Sequence, residues 1–246
     1  MNKIFQRPKS LRDVITHYCA GCGHGIVHRL VAEAVDELGI RERVIAVAPV
    51  GCAVLAYDYW DFDVTEAAHG RCPAVATGIK RIRPENIVFT YQGDGDLAAI
   101  GTSEIIHAVN RGENISVIFV NNGVYGMTGG QMAPTTIMGQ KTTTSPAGRG
   151  ANAEGFPIKI CELLAALDGA AYLERVAVST VADIQKASCA IKKAFQCQID
   201  CKGFSLVEVL SMCPTDWKLT PRQSVEFVND QLKKTFPLGV YKDKTK

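Results

Sequence analysis

No run of apolar residues in this chain approaches the roughly 18 that a membrane-spanning helix needs. Charge of one sign is also scarce: 27 basic and 25 acidic side chains leave a net charge of +2. That balance gives no strong basic field for nucleic acid or an anionic membrane, so neither is an expected partner. There is no internal repeat of solenoid length and no low-complexity tail beyond the basic end YKDKTK. The amino-terminal stretch MNKIFQRPKSLRDV is basic but lacks an apolar core and a small-residue cleavage site, so a cytoplasmic protein is expected. No GxGxxG opens a helix after a strand with an acidic residue further on, which argues against a dinucleotide-binding dehydrogenase. The nine cysteines (19, 22, 52, 72, 161, 189, 197, 201 and 213) are odd in number and nothing points to secretion. A disulfide framework is therefore not expected.

What is present is an ordinary globular balance, 47% apolar and 21% charged over 246 residues. Helical and strand patterns alternate, which predicts an α/β fold: a mostly parallel sheet flanked by helices, in one domain spanning 1–246. GIVHRLVAEAVDEL (25–38) puts Val27, Leu30, Val31, Ala34, Val35 and Leu38 on one helical stripe, and Gly39 stops it. Buried strands are expected at 43–50, 86–91, 115–120 and 204–211, with a fifth in YLERVAV. Helices are expected at 71–82, 97–112 and 221–236, and in KICELLAALDG and VADIQKASCAIKKAFQC. Residues 123–157 break the alternation with Gly, Thr, Pro, Ser and Asn; loops this long inside a compact domain are usually functional or disordered.

Two short motifs follow two of the strands. GDGD (93–96) ends the strand at 86–91, and NNGVYG (121–126) ends the strand at 115–120. Either alone is a common turn sequence. Residues 96–120 between them hold one crossover helix and one strand, so both motifs finish on the same sheet edge. Asp94 and Asn122 can then converge as hard oxygen ligands for Mg²⁺, with phosphate oxygens completing the shell. The glycines admit backbone N–H groups to a phosphate, and the helix beginning near Leu97 points its positive end there.

GDG, then about 25 residues, then NN resembles the diphosphate–Mg²⁺ motif of thiamine diphosphate enzymes. CAGCGHG (19–25), PVGCA (49–53), HGRCPAVATG (69–78), GDGD, NNGVYGMTGGQ (121–131) and CPTDW (213–217) occur in order. This series resembles the beta, cofactor-binding subunit of 2-oxoacid:ferredoxin oxidoreductases over nearly the whole chain. The resemblance implies CoA-dependent oxidative decarboxylation of a 2-oxoacid to acyl-CoA and CO₂, with electrons passing through a [4Fe–4S] cluster to ferredoxin. It implies thiamine diphosphate and Mg²⁺ as cofactors. The Mg²⁺ ligands would be the Asp94 carboxylate, the Asn122 side chain and the Val124 carbonyl. The cofactor would lie against Gly95, Asp96 and the Gly126–Met127–Thr128 turn, with Gly51, Cys52, Ala53 and His69 approaching from the other side. Arg71 could meet a carboxylate or phosphate, or pair on the surface.

Cys19, Cys22, Cys52 and Cys213 fit the family's cluster ligands. Cys52 and Cys213 both follow strands, on the edge that carries the thiamine motif, and Cys19–Cys22 precede a helix start. Four thiolates suit a [4Fe–4S] cluster or an all-cysteine zinc site. One close pair with two distant singles is the less zinc-like spacing. Cys72, Cys161 and Cys189 fall in helical patterns and read as core, and Cys197 and Cys201 as a surface or half-buried pair. His17, His24 and His28 read as structural, with no HExxH beside them.

In this family the Glu that activates the aminopyrimidine belongs to a separate alpha subunit. Glu66, Glu104 and Glu113 stand in no recognisable pyrimidine motif, so an obligate hetero-oligomer is expected, with the loop 127–157 facing the partner. Gamma and ferredoxin-like delta subunits, ferredoxin and coenzyme A are further implied partners. Many relatives read TKGQ where this chain reads TGGQ (128–131), so Gly129 replaces the lysine. That change tilts the expected substrate toward a branched-chain 2-oxoacid or 2-oxoglutarate. The rival readings are a thiamine-dependent decarboxylase subunit without a cluster, and a zinc-stabilised interaction module.

Overall fold

The computed structural model describes residues 6–245; the first five residues of the basic amino-terminal stretch, and Lys246, lie outside it. The chain runs through α1 (His24–Glu37), β1 (Val44–Ala48), α2 (Ala56–Tyr59), β2 (Asp63–Glu66), α3 (Cys72–Ile82) and β3 (Ile87–Gly93). It continues through α4 (Thr102–Asn110), β4 (Ser116–Asn121), a small hairpin of β5 (Val124–Tyr125) and β6 (Gln131–Met132), and α5 (Ile160–Ala165). The last part holds β7 (Ala170–Ala177), α6 (Val181–Ile199), β8 (Phe204–Leu210), α7 (Pro214–Trp217), α8 (Pro221–Phe227), α9 (Lys233–Thr235) and β9 (Gly239–Asp243).

Seven strands form one sheet in the order β2-β1-β3-β4-β8-β7-β9. Every pairing is parallel except β7 with β9. The central strands read as continuous apolar runs because both faces are covered. Successive residues alternate between the faces: Phe89, Tyr91, Ile118 and Val120 join one core with α1 and α6. Val88, Val117 and Phe119 join the other with α3, α4 and α5. Strand order reverses between β1 and β3, and such switch points open a crevice at the carboxyl strand ends.

The sheet holds two strands more than the five expected. β2 (DVTE) is a short, polar edge strand, and β9 lies within a carboxy-terminal stretch that charge made look like a tail. Neither has the apolar run that marks a buried strand, since edge strands stay wet and charged. β1 is shorter than 43–50, because Arg41–Arg43 form a 3₁₀ turn and the chain leaves the strand before Pro49. The helix expected at 97–112 starts as a wide π turn, Asp96–Ile100, in which the Gly101 N–H reaches the Asp96 carbonyl. π turns of this kind recur at functional sites. The helix at 221–236 carries a second such turn, Val228–Leu232, between α8 and α9. Cys72 and Cys161 are buried as expected, but Cys189 is exposed on α6 and is not core. Cys197 is buried and Cys201 exposed, and all nine cysteines are free thiols.

Beneath the site the sheet carries a buried ion network that periodicity does not reveal. Arg175 on β7 is fully buried and donates to both oxygens of Glu162 on α5, at 3.0 and 2.6 Å. Its Nε lies 2.9 Å from Glu208 Oε2 on β8, paired by charge although the N–H is not aligned for a hydrogen bond. Glu208 Oε1 in turn accepts from Asn121 Nδ2 at 2.8 Å. Among the described residues, no helix is long and apolar enough to cross a membrane.

Candidate functional site

The register of three strands builds the site. Gly93 on β3 pairs with Val120 on β4, and Asn121 pairs with Leu210 on β8. GDGD, NNG and the residues before Cys213 therefore leave the sheet side by side. The crevice above them is lined by Asp94, Gly95, Asp96, Asn122 and Val124, and by Gly126, Met127 and Thr128. Gly51, Cys52 and Ala53 after β1, and His69 after β2, close the other wall. Every cofactor- and Mg²⁺-contacting residue expected from the sequence thus borders one cleft. His24, Val50, Gly93 and Tyr125 join them there without having been singled out for it.

Asp94 is 2% exposed. Its Oδ1 accepts from Gly95 N at 2.8 Å, and its Oδ2 from Gly123 N at 2.6 Å, Asn122 N at 3.2 Å and Thr135 Oγ1 at 2.8 Å. Burial pushes the carboxyl up to about 6, while these hydrogen bonds pull it back down. None of these partners is a cation. A buried carboxylate compensated only by neutral donors is the environment a divalent cation would neutralise. The Asn122 side-chain oxygen accepts from Val124 N at 3.1 Å, and the Asn122 carbonyl accepts from Trp217 Nε1 at 3.0 Å. The tryptophan of CPTDW thereby fixes the NN turn from α7. The donor set, a buried carboxylate with an amide and a carbonyl oxygen, fits Mg²⁺.

Asp96 has a different use. Its Oδ1 accepts from Gly70 N at 2.6 Å and lies 2.5 Å from His69 Nδ1. Its Oδ2 accepts from Gln92 Nε2 at 2.6 Å. The carboxylate ties the HGR turn to the GDGD turn, and both Asp96 and His69 border the cleft. Arg71 pairs with Glu104 on α4. Glu113 pairs with Arg81 and Arg111, and Glu66 ends the edge strand β2, so none of the three glutamates lines the cleft.

Two of the four cysteines, Cys52 and Cys213, approach the NNGVYG loop at Gly126. A Cβ built on Gly126 would stand 3.1 Å from Cys52 Sγ and 3.6 Å from Cys213 Sγ, so any larger residue would press on Cys52. Cys213 Sγ lies 3.1 Å from Asp216 Oδ2. The CAGCGHG loop packs onto the same strand end: Gly23 N donates to Met212 O at 3.2 Å, and a Cβ there would collide with Ser211 Oγ. Cys19 and Cys22 close a turn by a Cys22 N to Cys19 O bond of 3.0 Å. Burial pushes Cys22 up to about 11 and Cys52 up to about 12, and each thiol feels the charges of its neighbours: Cys19 acts on Cys22, and both act on Cys52. Burial and the Asp216 carboxylate raise Cys213 as well. Thiols held this high are thiolates only when a bound metal displaces their protons. Among the described residues, no three His, Cys, Asp or Glu side chains are disposed to hold a single metal ion. Cys52 and Cys213 flank the Gly126 turn, and the charges of Cys19 and Cys22 reach Cys52.

His28 is buried, stacked on Trp60 and 2.8 Å from Tyr18 Oη, a structural position as expected. His24 is also buried, with Nδ1 2.6 Å from Tyr91 Oη, but it borders the cleft as well. Its pKa falls to about 3 because burial disfavours its charged form.

A switch-point crevice with a carboxylate and an amide at adjoining strand ends defines a thiamine diphosphate-binding domain. Residues 50–209 match the family described as thiamine pyrophosphate enzyme, C-terminal TPP binding domain. The chain is 49% identical over 253 residues to ketoisovalerate oxidoreductase subunit VorA of Methanothermobacter thermautotrophicus, covering 99% of this chain and 53% of that protein. It is 41% identical over 206 residues to 2-oxoglutarate synthase subunit KorB of Methanocaldococcus jannaschii, covering 83% of this chain and 72% of that one. The solved 2-oxoglutarate:ferredoxin oxidoreductase from Magnetococcus marinus, with 2-oxoglutarate, coenzyme A and succinyl-CoA bound, superposes with a TM-score of 0.80 at 26% identity. That match covers 100% of this chain and 87% of the other. The chain belongs to the thiamine diphosphate-binding subunits of the 2-oxoacid:ferredoxin oxidoreductase family. It spans about half the length of the VorA relatives it matches.

Proposed function

We propose that this chain is the cofactor-binding part of a 2-oxoacid:ferredoxin oxidoreductase that converts a 2-oxoacid and coenzyme A to acyl-CoA and CO₂. The observation that carries the reading is the meeting, around one loop, of the Asp94–Asn122 pair with Cys52 and Cys213. Asp94 Oδ1, Asn122 Oδ1 and the Val124 carbonyl would hold Mg²⁺ against the diphosphate. The Gly126–Thr128 turn and the Gly51–Ala53 loop would enclose the ring end. Thiamine diphosphate, when bound, supplies the electron sink for release of CO₂. Cys19, Cys22, Cys52 and Cys213 would hold a [4Fe–4S] cluster one loop away, as the outlet for the electrons. His69, oriented by Asp96, would present its free ring nitrogen to the cleft.

The cleft wall of this chain carries no glutamate, so the acid that the aminopyrimidine requires would come from an alpha subunit closing the cleft. VorA relatives about twice as long as this chain are consistent with additional protein around the site. The higher identity to the ketoisovalerate subunits favours a branched-chain 2-oxoacid substrate, and the KorB identity makes 2-oxoglutarate the second choice. Anaerobic purification with co-purifying subunits, followed by a panel of 2-oxoacids with coenzyme A and a viologen acceptor, tests the proposal. Reduction that requires thiamine diphosphate supports it. CO₂ release without reduction would mean a decarboxylase instead.

A further inference from the structure

Asp94 is held from behind by a segment that none of the motifs contains. Its Oδ2 takes three donors: Gly123 N, Asn122 N and the Thr135 hydroxyl. A carboxylate oxygen has about two good acceptor directions, so Oδ2 is saturated. Oδ1 takes only the amide of Gly95, next in the chain, and keeps one direction open. Thr135 is fully buried. It sits in a stretch without regular structure, beside Thr136, whose hydroxyl donates to the Gly123 carbonyl at 2.5 Å.

What fixes that stretch is Arg149, itself 6% exposed. Its guanidinium donates to the carbonyls of Ala133 (3.2 Å), Pro134 (2.8 Å) and Thr136 (2.7 Å). On its other side it donates to the carbonyls of Gly155 (2.9 Å), Phe156 (2.8 Å) and Glu154 (3.3 Å). A desolvated guanidinium spent on backbone oxygens is costly unless the geometry it enforces matters. Lysine, with three donors on one compact ammonium and no planar fork, could not reproduce all six contacts on both sides of this loop.

We infer that Thr135 is a positioning residue for the metal-binding carboxylate and that Arg149 is the clasp that delivers it. Together they turn Asp94 so that Oδ1 alone faces the cation, making it a one-oxygen ligand. The inference rests on the proposed Mg²⁺–thiamine diphosphate site. Partners that orient a metal ligand typically cost 10–100-fold in metal affinity when removed.

The test is Mg²⁺ titration of thiamine diphosphate binding to the full chain with the subunits that purify with it. Tryptophan fluorescence can report binding, because Trp217 bonds the Asn122 carbonyl. Thr135→Val keeps the shape and removes the hydroxyl; it should weaken Mg²⁺-supported binding by about 10–100-fold. Thr135→Ser should restore near wild-type binding, a rescue that a purely steric role would not give. If the valine variant does not melt cooperatively, Thr135→Ala takes its place. Arg149→Lys should weaken binding too and speed proteolysis within 133–156. Valine or alanine binding Mg²⁺ like wild type, or serine failing like valine, overturns the positioning role. Lysine at 149 matching wild type in both readouts overturns the clasp. Wild type showing no Mg²⁺-dependent binding removes the proposed site, and this inference with it.

Discussion

The Gly123 amide donates to Asp94 Oδ2 across 2.6 Å, although 29 positions separate the two residues in the chain. β3 and β4 end in register, so the turn that follows one strand is stapled to the turn that follows the other. Asp94→Asn removes the charge that a cation would neutralise and replaces one acceptor by a donor facing donors. We expect it to abolish Mg²⁺-dependent thiamine diphosphate binding while iron content is retained. Calorimetric titration with and without Mg²⁺ checks this, and unchanged affinity would remove Asp94 from the site.

The cysteine set makes its own prediction. Cys213→Ala and Cys52→Ala should each sharply lower iron and acid-labile sulfide after anaerobic purification. Gly126→Ala should do so as well, because its methyl group would enter the space beside Cys52 and Cys213. Full iron occupancy in the Cys213 variant would exclude that thiol as a ligand. Zinc in place of iron in the wild type would favour the structural reading.

The buried pair Arg175–Glu208 predicts a stability loss without a binding change. Both side chains are fully buried, and removing one partner strands the other. Arg175→Met should cost about 3–5 kcal/mol, because a lone buried charge is left behind. Urea unfolding measures it. The double variant Arg175→Met, Glu208→Gln should recover part of the loss.

The buried imidazoles set a pH dependence. Burial lowers the pKa of both His24 and His28 below the ordinary 6.5, His24 to about 3. The unfolded chain takes up protons below 6.5 while the folded one does not, so stability is complete above that pH and falls as pH drops toward 3. The slope approaches about 1.4 kcal/mol per pH unit for each histidine. Urea midpoints at pH 7 and pH 5 should differ, and His28→Gln should reduce the difference. The raised Asp94 carboxyl shifts stability the opposite way as pH falls toward 5, so the deciding comparison is with the variant: the same pH dependence in wild type and His28→Gln would contradict the burial argument.

The strands and the two motifs were legible because each depends on local pattern: apolar runs such as ISVIFV, and glycine–carboxylate or glycine–amide turns directly after them. Asp94, Asn122 and Cys52 could be placed because a parallel sheet sends every strand end to one edge. Thr135 and Arg149 were hidden because their roles depend on where an irregular loop returns, and no period encodes that. Trp217 stood inside a quoted motif, and its letter could have drawn attention; its bond to the Asn122 carbonyl could not be read from spacing. Asp96 borders the cleft as its place beside Asp94 implies, but the bonds of its carboxylate to His69 and Gly70, where a π turn begins, could not be read from that spacing. β2 and β9 carry no strand signature in the sequence because edge strands lack the apolar run of the centre.

The central claim is that this chain holds thiamine diphosphate beside an electron outlet. Its most direct test is anaerobic assay of the purified complex for 2-oxoacid- and CoA-dependent reduction of ferredoxin. The account predicts reduction that requires both thiamine diphosphate and Mg²⁺, fastest with a branched-chain 2-oxoacid, and lost in Asp94→Asn and in Cys213→Ala. Reduction that persists in Asp94→Asn, or none with any 2-oxoacid from an iron-loaded complex, would contradict it.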